Sequence, residues 1–324
     1  ALNPKGETDM SDVTPAVTGS FVALITPMND DYSIDYPGFA TLLDFQREAG
    51  TSAVLIMGSS GEVTMLSPEE RHATVRETMK HKKGGMQHWY GCTGPTTEAT
   101  IAYVEQAAAE GADGAVVAAP SYICAPEADI LRYFLDVADA SPIPIGIYNN
   151  PPRVKTDLGV EAMLELTAHP NVAVLKESTS RVGQVGQVCA AKAPVAVMCC
   201  CSPNLGLVVP TMALGGHGTA NMTGNIIPRE MALISTPWGE DGAQALRFRE
   251  AYLQNLPMLH FAYSAVNPVP VKSLMRAVGL PAGPLRRPLT GLAGEHLQRG
   301  LEIVRELGLD SRYGYRTDIA LAAE

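Results

Sequence analysis

The sequence predicts an α/β protein: one (β/α)8 barrel with a C-terminal helical appendix. Eight short apolar runs recur between residues 20 and 221, each followed by a turn and a longer stretch with helical spacing. Most of these runs are apolar throughout rather than alternating, which is how parallel strands covered on both faces read. Beyond about residue 236 the runs stop and only helical spacing continues. Strands alternating with helices in this way form a closed TIM barrel or an open doubly wound sheet. No Gly-x-Gly-x-x-Gly follows the first run, so the dinucleotide-binding version of the open sheet loses support.

The strand runs lie at 20–25, 53–57, 88–91, 114–118, 143–148, 172–176, 195–199 and 218–221. Between them, amphipathic stretches such as 69–80, 97–110 and 127–138 predict the crossover helices. Ser67-Pro68-Glu69-Glu70 offers an N-cap serine, a proline at the first helical position and acids in the first turn. Asp157 is expected to cap a helix entered at Leu158, and Ala125-Pro126-Glu127 is a similar but less complete start. The appendix reads as helices at 241–256, 268–278 and 292–307, with a proline-rich connection at 281–288. The expected organisation is a disordered arm at 1–16, the barrel at 17–236 and the helical region at 237–324, packed on the barrel.

Composition narrows the function classes. Of 324 residues, 46% are hydrophobic and 18% charged, enough apolar material for a large core. A net charge of −10 with pI near 5.2, and no basic stripe, disfavours binding to a phosphate backbone. It does not exclude anionic substrates, because one local arginine or lysine can dominate a pocket. No apolar run reaches the roughly 18 residues that span a bilayer. The polar N-terminal stretch lacks the basic-then-apolar layout of a signal peptide. The six cysteines include Cys199, Cys200 and Cys201 in a row. Neighbours on a strand face opposite ways, so this triplet does not close a tetrahedral metal site by itself. Buried free thiols and a reducing cytoplasm are expected. The histidines at 72, 81, 88, 169, 217, 260 and 296 form no H-x-H or H-E-x-x-H pair, so no metal is expected.

In such a barrel the active site gathers at the C-terminal ends of the strands. Lys176 ends the run Val-Ala-Val-Leu-Lys, where apolar walls favour a neutral amine able to attack a ketone and form an imine. The alternative is a surface lysine just past the strand. Tyr148 ends the preceding run, and a phenol there can shuttle a proton; a rim tyrosine is the alternative. Arg153 follows in the proline-stiffened stretch Asn149-Asn150-Pro151-Pro152-Arg153. It could grip a carboxylate bidentately or form a structural ion pair. Gly58-Ser59-Ser60-Gly61-Glu62 follows the second run. Its small residues and hydroxyls suit a bound carboxylate, or simply a tight turn. No lysine-serine/threonine pair follows, which disfavours a P-loop, and there is no Gly-x-Ser-x-Gly elbow.

Taken together, these strand ends resemble the family of dihydrodipicolinate synthase and N-acetylneuraminate lyase, the class I pyruvate lyases. The resemblance runs from about Gly19 to Gly308. Gly58–Glu62 is similar to the family's G-[ST]-[ST]-G-E, Tyr148-Asn149-x-Pro151 to Y-N-x-P, and Lys176-Glu177 to the K-E or K-D of the Schiff-base lysine. By resemblance, Lys176 forms the imine and Tyr148 relays protons. Ser59 or Ser60 would link Tyr148 to a second tyrosine, Tyr122, which in the synthases reaches a neighbouring subunit's site. That implies a homo-oligomer, a dimer or a dimer of dimers. Gly58, Ser59, Ser60 and Gly61 would hold the pyruvate carboxylate, with Arg153 and Ala220 completing the substrate-binding set. No cofactor beyond the covalent imine is implied.

Arg153 and Asn267-Pro268-Val269-Pro270-Val271-Lys272 resemble the synthase branch, which condenses pyruvate with aspartate semialdehyde. Leu285–Leu289 resembles the stretch after it. The sequence departs from that branch at Val154-Lys155, at Ser59-Ser60 in place of Thr-Thr, and at Cys199–Asn204 in place of S-G-D-[DE]. Ser121 stands where lysine-inhibited synthases often carry tyrosine. An aldolase or dehydratase for another 2-oxo acid, such as a 2-oxo-3-deoxy sugar acid or 4-hydroxy-2-oxoglutarate, is the alternative. A non-catalytic paralogue that binds a small acid is the alternative of another class.

Overall fold

A computed structural model of the chain describes residues 16–239 and 242–317. The expected arm at 1–16 lies outside these residues, except for its last position. Eight strands follow in order: β1 (Gly19–Ala23), β2 (Ala53–Ile56), β3 (Gln87–Gly91), β4 (Gly114–Ala118), β5 (Ile145–Asn149), β6 (Val172–Glu177), β7 (Ala196–Cys199) and β8 (Gly218–Asn221). All pair in parallel with their sequence neighbours, and β1 closes onto β8, so the sheet is a barrel. Each predicted run is a strand.

Inward and outward side chains alternate along each strand. Phe21, Leu55, Trp89, Val116, Val174 and Met198 form one buried cluster inside the barrel. The intervening residues join the larger core under the helices. Trp89 fills the middle of the barrel and packs edge-on against Phe21, with ring centroids 5.9 Å apart. Glycine at 114 makes room for it, because a Cβ there would sit 2.4 Å from the indole.

The crossover helices are α1 (Tyr36–Glu48), α2 (Pro68–Met79), α3 (Thr97–Ala109), α4 (Glu127–Ala140), the single turn α5 (Pro151–Val154), α6 (Val160–Thr167), α7 (Val182–Ala190), α8 (Val208–Ala213) and α9 (Pro228–Ile234). Ser67 caps α2 in a full capping box with Glu70, a feature worth about 1 kcal/mol. The expected Asp157 cap is not formed. Helix α6 starts at Val160 behind Gly159, with no side-chain cap. Tertiary partners take the Asp157 carboxylate instead: Arg181 binds it, through Nη2 at 2.7 Å among other contacts, and Asn149 donates to it at 3.0 Å.

The appendix consists of α10 (Ala243–Ala262), α11 (Val269–Ala277), α12 (Gly294–Glu306) and α13 (Leu309–Tyr313). The first of these outruns its expected end at 256 and continues through Pro257. No helix of the described residues is long and apolar enough to cross a membrane.

Helix α11 is tied to the loop after β2 by a fully buried ion pair. Lys272 Nζ donates to Glu62 Oε1 at 2.5 Å, both side chains at 0% exposure. The other Glu62 oxygen accepts the Arg286 backbone N–H at 2.8 Å, and the Arg286 guanidinium reaches Glu70 at 2.7 Å. The appendix is thereby clamped to the C-terminal rim of the barrel, and the residue before α11 that faces the barrel, Asn267, reaches its mouth.

Candidate active site

Strand parity and register bring two of the predicted side chains together. Val174 points into the barrel, so two residues later Lys176 does too. Tyr148 is its register partner on β5. Lys176 is 5% exposed, and its Nζ lies 4.0 Å from the centroid of the Tyr148 ring. Among the described residues no carboxylate forms an ion pair with it. The amine is held against an aromatic face rather than locked to an anion.

Above this pair opens a cavity of about 510 Å³, lined by Lys176, Tyr148, Ser59, Ser60, Arg153 and Ala220 from the predicted set. Ser59–Gly61 forms a tight 3-10 turn after β2. Thr26 Oγ1 donates to the Gly61 carbonyl at 2.7 Å, and a Cβ at Gly61 would press on Thr26 Oγ1 and Leu24 O at 3.2 and 3.3 Å. The turn closes with Glu62 in the left-handed region at φ 56°, held there by Lys272. Gly58 and Gly61 therefore shape the turn but do not line the cavity. Ser59 Oγ accepts from Asn267 Nδ2 at 3.2 Å.

Arg153 sits on α5 and donates to the Asn267 carbonyl at 3.1 Å. Tyr122 is set apart from the cavity. It is 96% exposed at φ 79°, so within one chain it meets neither serine nor Tyr148.

Several cavity residues carried no functional expectation: Asn150, Ser178, Tyr263 and Asn267 as a lining residue, while Cys200 and Ser202 come from the Cys199–Asn204 stretch that departs from the synthase pattern. Asn150 Nδ2 donates to Tyr148 Oη at 2.5 Å. Of the cysteine triplet, Cys200 lines the cavity while Cys199 and Cys201 join the outer core, as strand alternation requires. All six cysteines are free thiols. The Tyr263 hydroxyl lies 3.1 Å from Cys200 Sγ and 3.2 Å from Cys201 Sγ. Burial raises that phenol well above its ordinary range. Beside Lys176, burial also raises the Glu177 carboxyl, which accepts from Asn149 Nδ2 at 3.2 Å and from the Ser178 N–H at 2.8 Å.

Three lining atoms stand out chemically. Ser60 Oγ, Ser178 Oγ and Asn267 Oδ1 are buried with no hydrogen-bond partner among the described residues. Each such atom costs roughly 1–3 kcal/mol, a cost that a polar ligand in the cavity would relieve. The site thus combines a sequestered amine, a phenol, a cluster of hydroxyls and one guanidinium, which suits a small oxo acid. No group of three His, Cys, Asp or Glu side chains able to hold a metal ion occurs among the described residues.

Comparison with known proteins agrees with this chemistry. Residues 16–307 match the model of the dihydrodipicolinate synthetase family. The 4-hydroxy-tetrahydrodipicolinate synthase of Gluconacetobacter diazotrophicus is 34% identical over 301 residues, covering 91% of this chain and 99% of the relative. That of Ralstonia nicotianae is 31% identical over 294 residues, covering 90% and 98%. The solved structure of dihydrodipicolinate synthase from Aquifex aeolicus superposes with a TM-score of 0.82 at 29% identity, covering 90% of this chain and 98% of that one.

Proposed function

Because the chain belongs to the dihydrodipicolinate synthetase family, a family of class I pyruvate-dependent lyases, we propose that it condenses pyruvate with aspartate semialdehyde through an imine on Lys176. This is the 4-hydroxy-tetrahydrodipicolinate synthase reaction. The observation that carries the reading is the Lys176 amine itself, buried at the cavity floor, 4.0 Å from the centroid of the Tyr148 ring and, among the described residues, paired with no carboxylate.

In this reading the amine adds to the ketone carbon of pyruvate, and loss of water leaves a protonated imine. The imine is the electron sink, so no bound cofactor is required. Loss of a methyl proton gives an enamine, whose carbon attacks the aldehyde of the second substrate. Tyr148 moves the protons at the carbinolamine and at the new hydroxyl. The Ser59–Gly61 turn and the unpartnered Ser60 Oγ receive the pyruvate carboxylate. Arg153, at the outer edge, takes the carboxylate of the second substrate.

Tyr122 is proposed to act from a second copy of the chain, in a dimer or dimer of dimers. An almost fully exposed tyrosine held at positive φ is suited to reach outward. Six free thiols fit a reducing cytoplasm.

Borohydride trapping with pyruvate followed by mass spectrometry tests the first half: the expected adduct is on Lys176, and its absence removes the reading. A coupled assay with aspartate semialdehyde tests the second half. Cys200, Ser202 and Leu205 form a wall unlike the S-G-D-[DE] of the synthases, and this favours a second reading as an aldolase or dehydratase for another 2-oxo acid. Trapped pyruvate without condensation would select it.

A further inference from the structure

We propose that Asn150 is a positioning residue for the Tyr148 phenol, a reading that rests on the proton-transfer role given to Tyr148 above. Asn150 occupies the variable place in Tyr148-Asn149-Asn150-Pro151, between an asparagine that braces Glu177 and a proline that opens α5. The residue is 8% exposed and lines the cavity, and its Nδ2 donates to Tyr148 Oη at 2.5 Å.

The backbone behind it is pinned. The Asn150 carbonyl accepts the N–H groups of Arg153 and Val154 at 3.0 and 3.2 Å, and Pro151 fixes the next φ. The amide is therefore delivered to the phenol from a rigid turn rather than from a mobile side chain on the rim.

The polarity of this contact has a chemical consequence. A phenol oxygen that accepts from an amide keeps its own proton free and pointed elsewhere. With one lone pair taken by Asn150, the Tyr148 O–H is left free for the cavity that Tyr148 and Lys176 both line. An amide does not pass protons on, so Asn150 orients the relay without being a link in it. Neither serine does this within the chain: Ser59 Oγ is bonded to Asn267, and Ser60 Oγ has no partner among the described residues.

The test compares Asn150→Ala, Asn150→Asp and Tyr148→Phe with the double variant Asn150→Ala/Tyr148→Phe, using pyruvate and the aldehyde that the unaltered enzyme accepts. Loss of one hydrogen bond predicts a roughly tenfold fall in kcat for Asn150→Ala, with little change in the KM for pyruvate and a larger solvent deuterium isotope effect. Asn150→Asp keeps the shape but presents only acceptors, so it should fall at least as far. A space-filling role predicts that it would instead recover. In the Tyr148→Phe background, removing the amide should cost nothing further. Wild-type kcat in Asn150→Asp, or effects of the two sites that simply multiply, would overturn the proposal. Failure of the unaltered enzyme to trap pyruvate on Lys176 would instead sink the imine reading beneath it.

Discussion

Tyr148 and Lys176 are register partners on adjacent parallel strands, and the lysine nitrogen lies 4.0 Å from the centroid of the tyrosine ring. Partners in a parallel ladder project to the same face. Register alone therefore delivers a phenol and an amine to one point at the barrel mouth. The ring and the hydroxyl do separable things there: the ring face supports the nitrogen, and the hydroxyl handles protons.

Tyr148→Phe exploits that separation. It keeps the ring under Nζ and deletes only the hydroxyl. Pyruvate should still be trapped on Lys176, while kcat falls by roughly 10²–10⁴, the usual worth of a positioned acid-base group. Lys176→Ala should give no adduct at all. Mass spectrometry of trapped protein and steady-state rates check both. Unchanged turnover in Tyr148→Phe would remove the hydroxyl from the mechanism.

Arg153 should matter to one substrate only. Its guanidinium touches the Asn267 carbonyl at the outer edge and lines the cavity. A charge-assisted carboxylate contact contributes roughly 1.5–3 kcal/mol. Arg153→Ala is thus expected to lower kcat/KM for aspartate semialdehyde about ten- to a hundredfold while leaving the rate of pyruvate trapping near wild type. Equal loss in both would place the arginine in the imine half instead.

Much of this was legible in the sequence, for a physical reason. Parallel strands buried on both faces must be apolar throughout, so runs such as 172–176 announce themselves, and barrel geometry then says which end carries chemistry. Lys176, Tyr148 and the Ser59-Ser60 turn lie at those ends. What failed to show depends on distant chain. Asp157 looks like a cap locally, but Arg181 and Asn149 claim its carboxylate. Tyr263 follows α10 and meets Cys200 only because the appendix folds back over the barrel. Asn150 carries no local signal either, since nothing in Asn-Asn-Pro-Pro says which amide meets the phenol. The N-P-x-P-V-K stretch was the one cue to Asn267.

The buried pair of Glu62 and Lys272 should dominate the stability of the rim. Both side chains are fully buried, and burial lowers the lysine's pKa from its ordinary value. Removing one partner of such a pair leaves an uncompensated charge, at a cost of about 3–5 kcal/mol. Lys272→Met is expected to lower the unfolding free energy by that order, and Glu62→Gln/Lys272→Met to recover part of it. Because Glu62 closes the turn that presents Ser59 and Ser60, the single variant should also raise the KM for pyruvate. Denaturant titrations and steady-state kinetics report the two effects. A single variant as stable as wild type would mean that the pair contributes nothing net.

His88 predicts how stability depends on pH. It lies on the outer face of β3, fully buried, with neither ring nitrogen hydrogen-bonded among the described residues. Burial pushes its pKa down to about 4, against some opposition from Asp113. The unfolded chain takes up this proton near the ordinary value of 6.5, and the folded chain does so only near 4. Between those limits the unfolded state binds more protons, so stability rises with pH across the window and is lost on acidification. Above about 6.5 both states are neutral at this site and it contributes no slope. A displacement of this size corresponds to about 3 kcal/mol across the whole window. Urea midpoints measured from pH 7 down to 4 should therefore fall less steeply in His88→Leu than in the unaltered protein. Parallel pH profiles for the two would show that the histidine finds a partner in solution and that the acid sensitivity arises elsewhere.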